Sequence, residues 1–373
     1  MESCLMKEKK RKNQVMTIAF MIFIIGLFIL NIITEDSVIS VAERRKLKAL
    51  PKFDVESFSD GSYMTEFEKY ALDQFTFRET FRRIKGNLDF YVFQKKDIND
   101  IFVYKNNLIK LEYPYAPQSI EHFNNYIKQI SDKYLSQSNV YLSIIPDKAY
   151  FIPDNEYPTL DYGMLQDAIR VNLENIRYIN LFEQLVIDDY YYTDTHWKQE
   201  NLLKVVDFLG KMMDFDTTVS AGDYVIKTYT DFMGGYYSQS ALNVPKDDLH
   251  YLFKENMNDV TIKNYENLYK ENGSIYDLAQ LDSLDPYNVF LSGASPLIEI
   301  VDPNNTTGKE LIIFRDSFAS SLAPLLLQEY SKITLIDTRY MSFEYLGDYV
   351  DFADKDVLFL YNTMVVNNSQ MLK

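Results

Sequence analysis

The sequence predicts an α/β protein: a mostly parallel sheet with helices on both faces, preceded by a transmembrane helix and a helical stalk. Three observations carry this. An uncharged run of twenty residues lies near the N-terminus, and strand-length apolar runs alternate with helix-period segments from about residue 101 onward. The balance of 47% hydrophobic against 25% charged residues is that of a chain able to bury a core. At 373 residues it has room for one large domain plus additions.

The N-terminal element comes first. "KEKKRKNQ" precedes "VMTIAFMIFIIGLFILNIIT", residues 15–34. At about 1.5 Å per residue such a helix crosses a hydrocarbon core of roughly 30 Å. Lys7, Lys9, Lys10, Arg11 and Lys12 lie before it and the acidic "EDSVISVAE" after it. The positive-inside rule then predicts a cytoplasmic tail over 1–14, a single-pass anchor over 15–34 in the cytoplasmic membrane, and an extracytoplasmic remainder. A cleaved signal peptide ending at "SVA", Ser40 to Ala42, is the competing reading. The apolar run exceeds the roughly 7–15 residues of a signal core, which favours the anchor.

Residues 35–100 read as a juxtamembrane linker and helical stalk. "ERRKLKALPKF" is charged and contains Pro51; Met64, Phe67, Ala71, Phe75 and Phe81 then fall near helical spacing. The expectation is a stalk or cap packed on the main domain, with a plain amphipathic helix bearing a solvated acidic face as the alternative.

Residues 101–373 form the predicted main domain. "IFVYKNNLIKL" reads as two short strands around an Asn-Asn turn. "QSIEHFNNYIKQISDKYL" is helical, with Ile120, Phe123, Ile127, Ile130 and Tyr134 on one face, and "VYLSII" is a buried strand that stops at Pro146. A helix near Met164 to Ile176, a strand near "YIN" and a helix carrying Leu202, Val205, Val206, Leu209 and Met213 follow. "DYVIKTYTDF" and "PLIEIV" are strand-like within a less regular stretch, and "ELIIF", "ITLID" and "VLFLY" are three further strands.

Composition excludes several function classes. A net charge of −16 without a basic stripe argues against nucleic-acid binding. Cys4 is the sole cysteine, which rules out an intramolecular disulfide framework and a Cys-rich metal site. No cofactor and no metal are expected. The 30 tyrosines and 25 phenylalanines suit an aromatic core, or a platform on which sugars stack.

Chemistry in open parallel sheets gathers beyond the carboxyl ends of the strands. After "ELIIF" stand Arg315, Asp316 and Ser317, between a buried strand and an apolar helix. Ser317 is thus a candidate nucleophile, with backbone N–H groups at the helix start available to a developing oxyanion; the alternative is that Asp316 or Ser317 caps that helix. A serine needs a base. His122 and His250 sit in surface-like contexts, whereas His196 follows Asp194 in "YYYTDTHWKQE", beside Trp197. If that segment is extended, residues two apart point the same way, so Asp194 can take the Nδ1 proton and leave Nε2 for a serine. One histidine among scattered carboxylates offers no closed metal-ligand set.

"YYTDTHW" and "LIIFRDSFASSLAPLLLQEYSKITLIDTRY" resemble the two signatures of the DHHW-type proteins and of the related alginate O-acetylation proteins, a branch of the SGNH hydrolase-like superfamily. "ERRKLKALPKF", "FEKYALDQFTFRE", "IIPDKAYF", "DPYNVFLSGASPLIEI" and "VLFLYNT" agree in order, so the resemblance runs from about Glu43 to the end. It implies a three-layer α/β/α fold and an Asp194, His196 and Ser317 triad in permuted order. Thr195 stands where the family name implies His, Arg315 where the G-D-S block has glycine, and Gly293-Ala294 where Gly-Asn is common. The Ser317 N–H is therefore the expected oxyanion donor. Arg315, Asp316, Lys148, Asn362, Arg339 and Trp197 are the remaining candidates for substrate or oxyanion contacts.

The resulting expectation is a membrane-anchored, extracytoplasmic serine acyltransferase or esterase acting on O-acyl, specifically acetyl, groups of a cell-envelope polysaccharide. The resemblance also implies a multi-pass membrane O-acyltransferase partner that supplies the acyl donor. The alternative is a non-catalytic envelope scaffold or glycan-binding protein that keeps the fold.

Overall fold

The computed structural model describes residues 2–153, 157–171, 175–215, 220–265 and 271–373. The chain forms two compact units, Met1–Phe93 and Gln94–Lys373.

The first unit opens with helix α1 (Glu2–Ile33), whose segment Lys9–Ile33 is long and apolar enough to cross a membrane. A short hairpin follows, β1 (Ile39–Ser40) with β2 (Arg45–Lys46), then helices α2 (Val55–Ser59), α3 (Ser62–Asp73) and α4 (Arg78–Asn87). The single helical region expected over residues 61–94 is thus broken. Phe77, at the corner, has φ 62°, a left-handed conformation that a bulky side chain rarely adopts. An ion-pair cluster holds this unit together. Arg45 forks onto Asp73 at 2.6 and 2.9 Å, while Glu43 accepts from Arg45 and Arg78. The Arg45 hydrogen bonds hold the Asp73 carboxyl down to about 2.

The second unit begins with the hairpin β3 (Ile101–Tyr104) and β4 (Asn107–Lys110). Its turn is Lys105–Asn106 rather than Asn-Asn. Both residues have positive φ, 46° and 65°, the backbone a two-residue type I′ turn requires, so Asn107 is drawn into the strand. Helix α5 (Pro117–Tyr134) leads into β5 (Asn139–Ile145), then α6 (Tyr162–Arg170) and β6 (Ile176–Asn180). The helix expected to reach Ile176 ends at Arg170 instead; residues 172–174 of it lie outside the described residues, and Ile176 already pairs with Val140 as a strand. Helix α7 (Leu203–Met213), the hairpin β7 (Val225–Phe232) with β8 (Asp247–Phe253), and the short helix α8 (Gly235–Ser240) follow. Strands β9 (Thr261–Asn264), β10 (Glu271–Gly273), β11 (Leu297–Val301), β12 (Glu310–Arg315), β13 (Lys332–Ile336) and β14 (Asp356–Asn362), with helices α9 (Ala319–Leu326) and α10 (Thr363–Asn367), complete the unit.

The central sheet has the order β10-β9-β11-β13-β12-β14-β5-β6. β13, β12, β14, β5 and β6 are all parallel, and β11, β9 and β10 extend them by antiparallel pairs. Side chains alternate strictly between two cores, because successive strand residues face opposite ways. Leu311, Ile313, Leu358 and Leu360 join one core with α7 and α9. Ile312, Phe314, Val357, Phe359 and Tyr361 join the other with α5 and α6. These near-continuous apolar strands, covered on both sides, make the α/β/α sandwich expected from the sequence.

Candidate active site

The site is built where β12, β14 and β5 end. Buried polar groups tie those three carboxyl ends together. Asp316, directly after β12, accepts from the Asn362 N–H at the end of β14 at 2.7 Å and from the Phe318 N–H at 3.0 Å. Asn362 in turn donates from Nδ2 to the Ile145 carbonyl at the end of β5, and its Oδ1 caps α10 through the Met364 N–H. Burial pushes the Asp316 carboxyl up, while Arg339 and the two N–H donors pull it back. Asp316 thereby shapes the turn that presents Ser317. The residue at the helix N-cap of α9 is Phe318, so neither Asp316 nor Ser317 is the cap itself.

Asp194 and His196 lie on a tight loop, not on the extended segment expected. Tyr190 bridges to Trp197 and the Tyr191 N–H donates to the His196 carbonyl at 3.1 Å, which closes the loop on itself. The two side chains still meet, because the turn brings them onto the same side: Asp194 Oδ1 is 2.5 Å from His196 Nδ1 and also accepts the His196 N–H at 3.1 Å. The Gly235 N–H donates to Asp194 Oδ2 at 2.6 Å. With its carboxylate oxygens occupied by donors, Asp194 orients the ring so that Nε2 points at Ser317 Oγ, 2.7 Å away. Asp194, His196 and Ser317 therefore form one continuous hydrogen-bonded chain.

Two further contacts fix the imidazole. Tyr287 stacks on it, with ring centroids 3.8 Å apart and planes at 10°, and Phe318 packs against it tilted by 49° at 4.9 Å. Tyr287 donates to Ser321 Oγ, which also accepts from Trp197 Nε1; that indole N–H reaches the Phe318 carbonyl as well. Trp197 is fully buried, and it staples the histidine loop to the serine turn from behind.

The other sequence candidates are placed around this chain rather than in it. Lys148 is buried and donates to the Tyr191 and Tyr192 carbonyls at 2.8 and 3.3 Å, at the base of the histidine loop. Burial pulls its ammonium down to about 7, opposed by Asp194 and Asp247. Arg315 is wholly buried, with Nη1 donating to Ser320 Oγ at 3.0 Å and Nη2 to the Gly293 carbonyl at 3.5 Å. Its Nε has no hydrogen-bond partner among the described residues, and burial lowers the guanidinium pKa. Arg339 forks onto Asp337 at 2.8 and 2.6 Å. His122 bonds Ser369 and His250 bonds Thr228, each through Nδ1.

Sequence reasoning missed four residues. Tyr287 lies in "DPYNVF", a segment that carries part of the family resemblance but whose tyrosine offers no chemical signal of its own. Asp247 accepts the Tyr192 and Thr193 N–H groups and the Thr193 hydroxyl, so it holds the loop's other arm. Gly234 and Gly235 approach Asp194 so closely that a Cβ on Gly234 would sit 2.2 Å from the Asp194 Cβ. The adjacent glycines of "MGGYY" were the one available signal, since close backbone approach needs glycine.

The DHHW protein family matches residues 178–336. No curated protein matches the chain. Among solved structures, a DHHW family protein from Eubacterium siraeum is 18% identical, with 73% of this chain and 93% of that one covered and a TM-score of 0.59. Bacillus cereus PatB1 is 16% identical, with 73% and 97% covered and a TM-score of 0.58. PatB1 with a sulfonyl adduct is 17% identical, with 73% and 96% covered and a TM-score of 0.58. Over residues 178–336 the chain is thus similar in sequence to the DHHW proteins, and in fold it resembles them over 73% of its length.

Proposed function

We propose that this protein is a membrane-anchored, extracytoplasmic serine acyltransferase or esterase that acts on acetyl groups of a cell-envelope polysaccharide. The observation that carries the reading is the unbroken chain from Asp194 through His196 to Ser317. In this reading Ser317 Oγ attacks the ester carbonyl and passes its proton to His196 Nε2, while Asp194 stabilises the imidazolium. The carbonyl oxygen gains negative charge and meets the Ser317 N–H, which has no acceptor among the described residues. The tetrahedral adduct collapses, His196 returns the proton to the leaving oxygen, and an acyl-serine remains. A sugar hydroxyl or water, deprotonated by His196, then takes the acyl group.

The reading includes the organisation expected from the sequence: a cytoplasmic tail over 1–14, an uncleaved anchor over 15–34, a linker and stalk over 35–100 and the chemistry in 101–373. It also includes a multi-pass membrane O-acyltransferase as donor partner, which rests on family resemblance alone. A non-catalytic scaffold is the second reading. The observation favouring it is Arg315, a buried cation where the related G-D-S block has glycine.

Because PatB1 has been solved with a sulfonyl adduct, a sulfonyl fluoride is a reasoned probe. Intact mass of the full chain is measured after incubation with it and with an activated acetyl ester. One adduct mapping to Ser317, absent from Ser317→Ala and slowed by about 10²–10⁴ in His196→Ala, supports the enzyme. No adduct on a folded chain supports the scaffold.

A further inference from the structure

Helix α4 is amphipathic in the wrong sense for a helix surrounded by water. Phe77, Phe81, Ile84 and Leu88 follow one another at i, i+4, i+7 and i+11, a single apolar stripe that continues into the wider turn at Leu88–Val92. All four are exposed, Phe77 by 58% and Ile84 by 51%. The ionic face of the same helix turns inward instead. Arg78 donates to Glu43 at 2.8 Å, and Arg82 reaches Glu79 at 2.8 Å and Glu43 at 3.9 Å. A helix in water buries its apolar face and hydrates its charges, so this stripe calls for a cover that is not water.

The same unit shows where that cover is. The corner between α3 and α4 is fastened to the last turn of the apolar helix: the Thr76 N–H donates to Asn31 Oδ1 at 2.8 Å. Gln74 joins the chain just beyond, bonding Ser37 through both its N–H and its carbonyl at 2.9 and 3.0 Å. Asn31 lies two residues before the end of the segment Lys9–Ile33, about 3 Å along the axis at ~1.5 Å per residue. Gly26, Leu27 and Asn31 are half-buried on this end of α1, while most of the segment is exposed. Phe77 therefore begins its helix at the level where a membrane-spanning α1 leaves the hydrocarbon. Arg83 and Lys85 are exposed beside the stripe, placed to reach anionic headgroups while the apolar side chains enter the acyl boundary.

We infer that α4 and the turn prolonging it lie in the lipid surface of the bilayer that α1 crosses, with the stripe Phe77, Phe81, Ile84 and Leu88 against acyl chains. This rests on the reading of α1 as a retained span. The charged cluster of Glu43, Arg45, Asp73 and Arg78 then sits on the far side of α4 and fixes the helix's roll about its own axis.

The test uses the full chain in vesicles of phosphatidylglycerol and phosphatidylethanolamine, with and without lipids brominated on the upper acyl chain. Single Phe81→Trp and Phe23→Trp variants are compared with the unsubstituted protein, whose only tryptophan is the buried Trp197. The expected result is blue-shifted Phe81→Trp emission that brominated lipid quenches about twofold, with Phe23→Trp quenched as well. Quenching at Phe23→Trp but not at Phe81→Trp overturns the inference. If the Phe81→Trp emission is then red-shifted, the stripe is wet; if it is blue-shifted, protein covers the stripe instead of lipid. Absence of quenching at both positions overturns the membrane-span reading, and the inference with it.

Discussion

His196 lies face to face with Tyr287, 3.8 Å between ring centroids, while its Nε2 is 2.7 Å from Ser317 Oγ. The stack, the tilted Phe318 ring and the bond from Nδ1 to Asp194 leave the imidazole little rotational freedom, so its aim at the serine is set before any substrate arrives. Pre-set geometry of this kind spares the reorganisation that a freely turning base needs in the transition state.

Tyr287 therefore acts on reactivity through its ring more than through its hydroxyl. Tyr287→Phe keeps the stack and loses the bond to Ser321; we expect a stability loss of about 1 kcal/mol and little change in labelling rate at Ser317. Tyr287→Ala removes the stack, with an expected loss of about 3–5 kcal/mol and labelling slowed by roughly tenfold or more. Urea denaturation and timed intact-mass labelling separate the two effects.

Gly234→Ala tests the support of Asp194. The added methyl would lie 2.2 Å from the Asp194 Cβ and 2.4 Å from Oδ2, so the loop must move. The expected outcome is a labelling rate down by at least about tenfold, because the Asp194 to His196 bond is displaced. Gly222→Ala meets only Ser220 Oγ at 3.7 Å and serves as the control. A labelling rate equal to the control's would contradict the role given to this close approach.

Lys148 makes stability depend on pH. Its folded-state pKa, about 7, lies below the ordinary 10.5, so between those values the unfolded chain binds more protons than the folded one. Stability then rises with pH across that interval. We expect chemical denaturation to show this rise between about pH 7 and 9, and Lys148→Met to lose it. A rise that persists unchanged in Lys148→Met would assign it to another group.

Glu200 works in the opposite direction. Burial pushes its carboxyl up to about 7 from 4.5, its Oε2 has no hydrogen-bond partner among the described residues, and Oε1 is 4.0 Å from His250 Nε2. Here the folded chain binds more protons over that interval, so stability falls as pH rises from 4.5 through 7. Glu200→Gln removes the fall and should stabilise the protein at pH 8 by on the order of 2–3 kcal/mol. Equal denaturation midpoints for the two proteins at pH 8 would rule this out.

Much of this architecture was legible in the residues. β12, β13 and β14 announce themselves as "ELIIF", "ITLID" and "VLFLY" because strands covered on both faces must be apolar throughout. Asp194, His196 and Ser317 were legible because few side chains can serve as nucleophile, base and orienting acid, and because His122 and His250 sit in surface-like contexts whereas His196 follows Asp194 beside the sole tryptophan. The local geometry was less legible. Asp194 and His196 meet through a turn, since their loop is closed by Tyr190 and Trp197 and held by Asp247, partners that spacing does not report.

By itself, the sequence determined what depends on composition and period along the chain: an apolar helix of membrane-crossing length, a covered parallel sheet, and a serine at the end of a strand. The tertiary structure alone decided what depends on contacts between distant segments. It brought Tyr287 onto His196, placed Trp197 and Lys148 behind the histidine loop, and turned the apolar stripe of α4 outward. The reason is physical: a side chain's role follows from its neighbours, and those neighbours can lie far away in the chain, as Ser317 does, 121 residues from His196.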